Sequence, residues 1–264
     1  MDIWIIYLFG SVIVLLTGTA LFFFTLTRGA LIVRSALSGE DTDASHIYPI
    51  YSNMRLICLI DFQPIISAIL LFQYHRLVSG IVDGLRRLDL HDQKVLITSC
   101  AFGNVIPRVV TAAIERGARK VLIADIIKNE LTHAESKLLG HAHKTEMLEQ
   151  NAASLKLENG SVAANVIFFL LHELPHPLKI QALREAGRVV KPGGKVYLAE
   201  FHKPEGWVLQ ALSWTYFKVF EPLGLALWDT HDPVMLLDEI GGFTCERRTY
   251  FCGNFQIIVA TKDQ

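Results

Sequence analysis

No two of the four cysteines (Cys58, Cys100, Cys245, Cys252) form a CxxC pair, which argues against a zinc ribbon or a thioredoxin-like redox centre. Nor do they make a disulfide framework in a chain of 264 residues, so a reducing compartment fits best. Charge is scarce too. Only 19% of residues are charged and the net charge is -1, which gives no electrostatic footprint for nucleic acid. Internal repeats and low-complexity tracts are missing. What the chain has in excess is apolar surface: 51% of residues are hydrophobic, and mean hydropathy is +0.34.

The longest uncharged run, Ile3 to Thr27, ends at Arg28. It is long enough for the hydrocarbon core of a bilayer, which takes roughly 20 apolar residues. A cleaved signal peptide would show a basic start and a shorter apolar core. Residues 1–34 are therefore expected to form a transmembrane or anchoring helix. Arg28 and Arg34 follow the run while only Asp2 precedes it, which places the remainder on the cytoplasmic side of an inner membrane (bacterial, or mitochondrial in a eukaryote). Ser38–Ser45 (SGEDTDAS) reads as a linker. After His46–Asn53 comes a second apolar stretch, Leu56–Tyr74, interrupted by Asp61 and Pro64. It suits two short helices lying on a membrane or lidding a pocket, or packing against the first helix. Residues 35–90 are thus expected to be linker and substrate access.

From Lys94 onward strands and helices alternate. Strands are expected at Val95–Thr98, Val121–Ala124, Glu146–Glu149, Val162–Leu171 and Lys195–Phe201, with helices at Val105–Arg116, Lys128–Leu139 and Leu178–Val190. Such alternation gives a parallel α/β sheet covered on both faces. Thr244–Phe251 and Phe255–Thr261 flank Cys252-Gly253-Asn254, a hairpin signal. Five parallel strands closed by an antiparallel hairpin describe a class I methyltransferase-like (Rossmann-like) seven-stranded sheet, here residues 91–264 behind the N-terminal membrane helix.

The segment that organises this domain is Val95-Leu96-Ile97-Thr98-Ser99-Cys100-Ala101-Phe102-Gly103-Asn104. A strand enters a run of small residues and a helix leaves it, so backbone N–H groups and a helix N-terminus face a ligand. Thr98, Ser99, Cys100, Ala101 and Gly103 are its candidate cofactor contacts. Asp125 ends the next strand, where a carboxylate accepts hydrogen bonds from ribose hydroxyls; a helix N-cap is the plainer role. Asn151-Ala152 follows the third strand and could read an adenine edge or simply turn the chain. Lys191-Pro192-Gly193-Gly194-Lys195 has the composition of a turn.

Three clusters mix imidazole and carboxylate: His172-Glu173, Glu200-Phe201-His202 and Asp229-Thr230-His231-Asp232. The first two lie at C-terminal strand ends, which face the ligand crevice, and alternation places Glu200 and His202 on one side. His172, Glu200 and His202 are the candidate acid–base residues. His172, Glu173 and His231 are the candidate ligands of a divalent ion. The plainer alternatives are a satisfied buried imidazole at His172, a surface loop at His202 and an N-cap at Asp232. His141-Ala142-His143 is read as a surface loop.

Leu183–Gly194 (LREAGRVVKPGG) looks like the REMYRVLKPGG of quinone-biosynthetic C-methyltransferases, Glu200–Pro204 (EFHKP) like their EFSKP, and Asn159–Val162 (NGSV) like DNSFD. The opening turn departs from them: VLITSCAFGN stands where they have a sequence near VLDLGCGTGN, so Ile97 replaces an acid that orients the amino group of S-adenosylmethionine (SAM), and Ser99 and Ala101 replace glycines. This altered turn, with Leu171–Pro177 (LHELPHP) and Phe220–Pro233 (FEPLGLALWDTHDP), resembles the rhodoquinone biosynthesis protein family (RquA). The resemblance implies conversion of ubiquinone to rhodoquinone, with a ring methoxy group replaced by an amino group taken from SAM and a divalent metal, manganese, assisting. The implied partners are ubiquinone and membrane lipid. A membrane-associated SAM-dependent quinone methyltransferase and a non-catalytic SAM-fold scaffold are the competing expectations.

Overall fold

The computed structural model describes residues 3–26, 51 and 53–264. Arg28, Arg34, the expected linker Ser38–Ser45 and residues 46–50 lie outside the described residues. Helix α1 runs Ile3–Leu26. Among the residues with described side chains no single helix is long and apolar enough to cross a membrane, the apolar stretch within α1 being Phe9–Gly18. The second apolar stretch forms two short helices, α2 (Met54–Ile60) and α3 (Gln63–Ile69), broken at Asp61-Phe62 with Pro64 in the first turn of α3.

Helix α4 (Tyr74–Arg86) buries Tyr74, Leu77, Val78, Ile81, Val82 and Leu85. Those positions recur at three- and four-residue steps and make one face. At about 1.5–3 kcal/mol per fully buried large side chain, that face contributes on the order of 10 kcal/mol before the entropy of ordering is set against it.

The sheet then builds in the expected order: β1 (Lys94–Thr98), α5 (Val105–Glu115), β2 (Lys120–Asp125), α6 (Lys128–Ser136), β3 (Thr145–Glu149), β4 (Val162–Phe168), α7 (His176–Val189) and β5 (Val190–Phe201). Helices α8 (Trp207–Phe220), α9 (Pro222–Leu225) and α10 (Pro233–Ile240) precede the hairpin strands β6 (Phe243–Tyr250) and β7 (Phe255–Lys262). The seven strands lie in the order β3-β2-β1-β4-β5-β7-β6. β1 to β5 are parallel, and β7 pairs antiparallel with β5 and β6.

Strand alternation divides the core between two faces. Val95, Ile97, Val121 and Ile123 pack in the cluster with α4 and α5. Leu96, Leu122 and Ala124 pack in the cluster with α7 and α10.

Two expectations are corrected here. β4 stops at Phe168, and Leu171–Glu173 forms a 3-10 turn. Phe169, at φ +55, turns the chain out of the strand. The Lys191–Lys195 segment does not separate helix from strand but lies inside β5. Pairing with β4 jumps from Val162↔Val190 to Ala164↔Lys195. Pro192 has no N–H for the ladder, so the chain bulges there, helped by Gly193 at φ +71. A Cβ on Gly194 would stand 2.7 Å from the Ala163 carbonyl oxygen, so this glycine is fixed by close backbone approach.

Candidate functional site

The connection from β1 leads to β2 on one side, while β4 flanks β1 on the other. Between their C-terminal ends lies the crevice where doubly wound sheets take ligands. Ser99, Cys100, Ala101 and Phe102 from the β1 turn line a cavity there with Phe168, Phe169, His172 and Glu173 from the end of β4. Ile60, Ile66, Ile69 and Leu70 roof it, so α2 and α3 serve as a lid.

Without the usual glycines, the β1 turn is held by specific bonds. Ser99 adopts φ +75, which costs a non-glycine residue about 1–2 kcal/mol, and its N–H donates to the Ala124 carbonyl at 2.8 Å. The Cys100 N–H donates to Asp125 Oδ2 at 2.6 Å. Gly103, at φ +81, donates its N–H to Asp61 Oδ1 at 2.7 Å. Lys137 Nζ reaches the same Asp61 oxygen at 2.8 Å and the Gly103 carbonyl at 3.0 Å. His133 Nε2 lies 3.1 Å from Asp61 Oδ2. The Tyr74 hydroxyl accepts the Val105 N–H at 2.8 Å and donates to the Phe102 carbonyl at 3.1 Å. Thr98 points away from the cavity, its hydroxyl donating to Asn165 Oδ1 at 2.9 Å inside the core.

Asp125 is buried at the end of β2. Its Oδ1 accepts the Ile127 N–H at 2.7 Å, and burial raises its pKa against the backbone N–H groups that lower it. It lines a smaller, adjoining cavity with Tyr51, Ser99, Cys100, Glu130 and Glu173. Asn151 is exposed, and its Oδ1 accepts the Ala153 N–H at 2.9 Å, turning the chain with Ala152 in the same loop.

His172 and Glu200 are brought together. His172 Nδ1 and Glu200 Oε1 are 3.0 Å apart, Glu200 Oε2 takes the His172 N–H at 3.3 Å, and Oε1 also takes the Phe201 N–H at 2.9 Å. Burial works to depress the imidazole pKa. Glu200 outweighs it, with Glu173 and Glu221 assisting, and lifts His172 to about 9. His172 is therefore an imidazolium at neutral pH, which gives it the acid, or hydrogen-bond donor, side of the acid–base role expected from sequence. Aromatic rings enclose it: Phe201 meets it edge-on at 5.0 Å, and Phe169 and Phe217 each lie 4.9 Å from Phe201.

His202 does not join this pair. β5 ends at Phe201, the His202 N–H donates to the Asn254 carbonyl at 3.0 Å, and Nδ1 lies 2.7 Å from the Gly253 carbonyl oxygen. The β6–β7 hairpin thus holds it in a separate cleft with Lys203, Asp229 and Arg247, and the strand alternation that would have placed it beside Glu200 has already ended. Asp232 is the N-cap of α10, accepting the Val234 N–H at 2.9 Å, and it pairs with Arg247.

The expected metal ligands do not converge. Among the described residues no three His, Cys, Asp or Glu side chains form a group able to hold a metal ion. His172 Nε2 and Glu173 Oε1 are 4.0 Å apart, and Glu173 Oε1 accepts the Tyr51 hydroxyl at 2.8 Å. His231 is elsewhere, stacked on His176 at 3.7 Å between ring centres. Burial lowers its pKa to about 4, with His176 and Lys179 adding to the effect. Among the described residues, the expected ligands His172, Glu173 and His231 do not fit a metal centre. His141 and His143 lie in an exposed 3-10 turn, Leu139–Lys144.

Sequence reasoning missed Asp61, Tyr51, Glu130 and Glu221. Asp61 left one signal: it is the only charged residue between Arg55 and Arg76.

Comparison with known proteins agrees with this geometry. The ubiE/COQ5 methyltransferase family matches residues 62–239. A ubiquinone/menaquinone biosynthesis C-methyltransferase UbiE of Bartonella quintana is 32% identical over 152 residues, covering 57% of each chain. A demethylmenaquinone methyltransferase of Bacillus licheniformis is 33% identical over 124 residues, 47% of this chain and 51% of that one. The chain thus spans little more than half the length of these curated relatives. In structure it is similar to a SAM-dependent methyltransferase of Aquifex aeolicus (TM-score 0.55, 18% identity, 80% of this chain and 98% of that one). An O-methyltransferase family protein of Burkholderia thailandensis is also similar (TM-score 0.59, 15% identity, 82% and 62%). These likenesses establish the class I SAM methyltransferase fold.

Proposed function

The chain belongs to the ubiE/COQ5 methyltransferase family, and on that premise we propose that it is a SAM-dependent transferase acting on a membrane-borne quinone. The specific reaction we propose is conversion of ubiquinone to rhodoquinone, with a ring methoxy group replaced by an amino group from SAM. The observation that carries the quinone half is the aromatic and apolar cavity that opens onto the β1 turn and presents one buried, protonated imidazole, His172. A quinone ring packs against Phe169 and Phe201, and His172 Nε2 donates to a ring carbonyl.

SAM supplies the nitrogen. Asp125 receives its ribose hydroxyls, and Ser99 to Gly103 approach it through the backbone. As the amine adds to the methoxy-bearing carbon, negative charge grows on the ring carbonyl oxygen, and the His172 imidazolium stabilises it there. His172 keeps its proton through the Glu200 carboxylate behind it. That imidazolium supplies the polarising positive charge at the ring carbonyl. Two bonds break. One is ring C–O, with methanol leaving on a proton from the amine. The other is the Cα–N bond of SAM, by elimination in which a hydrogen from the adjacent side-chain carbon goes to nitrogen and the remnant leaves as an unsaturated acid.

The β1 turn favours amination over methyl transfer. Ile97 is buried in the core where an acid is otherwise expected to hold the SAM ammonium, and an amine that attacks must be unprotonated. The names of the curated relatives favour the second reading, C-methylation of a quinone precursor.

The substrate side faces a membrane in this proposal. α1 carries no charged residue. Large apolar side chains stand exposed on α2 (Leu59), on α3 and in the turn after it (Ile69, Phe72) and at the start of α8 (Trp207), Phe72 at 76% and Trp207 at 81%. The test is mass spectrometry of quinones after incubation with ubiquinone and SAM carrying nitrogen-15 on its amino group. Label in an aminoquinone supports amination. A methylated product from a demethylated precursor, with no aminoquinone, moves the chain to methyl transfer. SAM binding with neither product leaves a scaffold.

A further inference from the structure

The smaller cavity beside the β1 turn is lined by Asp125, Glu130 and Glu173 and, among the described residues, by no Lys, Arg or His. Two of the three acids are engaged. Asp125 takes the Cys100 and Ile127 N–H groups, and Glu173 takes the Tyr51 hydroxyl. Glu130, in the first turn of α6, is only 3% exposed, and its Oε1 has no hydrogen-bond partner. Lys137, whose charge acts on Glu130, is committed to Asp61 and the Gly103 carbonyl. A buried carboxyl oxygen with no partner is costly, and this one lines the wall of a cavity whose charged lining residues are all acids. The ligand group that fits is a positively charged hydrogen-bond donor.

We propose that Glu130 is the proton acceptor for the ammonium group of a bound amino-acid-bearing ligand, here the amino end of SAM. The inference rests on the SAM half of the reading above. The N–H bond breaks, an O–H bond forms on Glu130, and the electron pair stays on nitrogen for attack on the ring. The adjoining cavities share Tyr51, Ser99, Cys100 and Glu173, so the freed amine stands at the quinone side.

The basicity of Glu130 suits that task. Burial raises its pKa to about 8, and Asp125, Asp61 and Glu173 push the same way while Lys137 opposes them. The neighbouring Cys100 thiol is held neutral by its own burial. An ordinary carboxylate at about 4 would hold an ammonium as a salt bridge; Glu130 matches an α-amino group at about 8, so the proton moves between them at little cost.

Calorimetric titration of the full chain with SAM, in buffers of different ionisation heat, tests this. Below about pH 8, Glu130–COOH and the free ammonium together carry one proton more than the pair retains. Binding at pH 7 therefore releases about one proton to solvent. Release falls to zero near pH 8 and becomes uptake above it, a sign change that needs no variant. Glu130→Gln removes the release and weakens SAM binding about tenfold or more. Proton-neutral binding by the native chain, undiminished release in Glu130→Gln, or no SAM binding at all overturns the proposal. Proton release without any aminoquinone overturns amination alone, and an aminoquinone formed with proton-neutral binding overturns Glu130 alone.

Discussion

The carboxylate of Asp61 accepts the N–H of Gly103 at 2.7 Å across 42 residues of sequence. One residue breaks the lid into two helices and also fastens it to the turn that follows β1. The lid and the turn therefore form one assembly, and a change in either is felt at the cavity between them.

Replacing Asp61 with Asn tests that latch. The amide still has an oxygen for Gly103, but the ion pair with Lys137 is lost, leaving the ammonium largely enclosed with the Gly103 carbonyl. Charged hydrogen bonds contribute about 1.5–3 kcal/mol, so unfolding in urea is expected to show a loss of about 2 kcal/mol. Hydrogen exchange across α2 and α3 should quicken more than across α4, which is held by its own buried face. Equal quickening of both would mean that the lid is fixed by apolar packing alone.

Gly103→Ala addresses the turn. A Cβ there collides with the Tyr74 hydroxyl, and φ is +81. Left-handed backbone costs about 1–2 kcal/mol and overpacking about 1–3 kcal/mol more. A total near 3 kcal/mol is expected in thermal or denaturant unfolding, with SAM binding weakened because Tyr74 also holds the Val105 N–H. A Gly103→Ala protein of native stability would show that Tyr74 yields freely.

Period and composition alone are enough to read the sheet. Alternating Val, Leu and Ile in β1 and β2 fed two cores, and the hairpin followed from Cys252-Gly253-Asn254. His172 and Glu200 were legible for a related reason: His172 follows β4 and Glu200 is the last residue but one of β5, and both strands end at the ligand edge. The rest was hidden in long-range pairing. Asp61 reads as a helix breaker until Gly103 is beside it, and Glu130 looks like a first-turn acid on a surface helix until burial removes its water. His202 was misplaced because alternation holds only while the strand lasts, and β5 ended one residue earlier.

The proposed membrane contact of the exposed apolar residues is testable apart from α1. Flotation on vesicles would also report any binding by α1, so a comparison of substrates is the cleaner measurement. Trp207→Ala with Phe72→Ala removes two exposed aromatics, each contributing about 1–2 kcal/mol if buried in lipid. KM for long-tailed quinone in vesicles should rise at least about tenfold, while the rate with a short-tailed, water-soluble quinone stays the same. An equal effect on both substrates would place these residues in the fold rather than at a membrane.

Glu200→Gln removes the partner that keeps His172 charged. Glu173 and Glu221 remain, but burial now meets much weaker opposition, so the imidazole pKa falls from about 9 and the positive charge behind the oxyanion donor is weakened at pH 7. In the native chain the folded pKa, about 9, exceeds the unfolded one. The pair's stabilisation is therefore full below about pH 6.5 and disappears as pH rises through 9. Unfolding measured from pH 6 to pH 10 should show that decline in the native protein and lose it in Glu200→Gln. The rate with ubiquinone should fall on the alkaline side near pH 9, and in the variant be low throughout, about 100-fold down, as for loss of one donor to a developing oxyanion. A variant that keeps the native alkaline limb would assign that limb to another group on the cavity wall, where Tyr51, Cys100 and Tyr216 supply the phenols and the thiol.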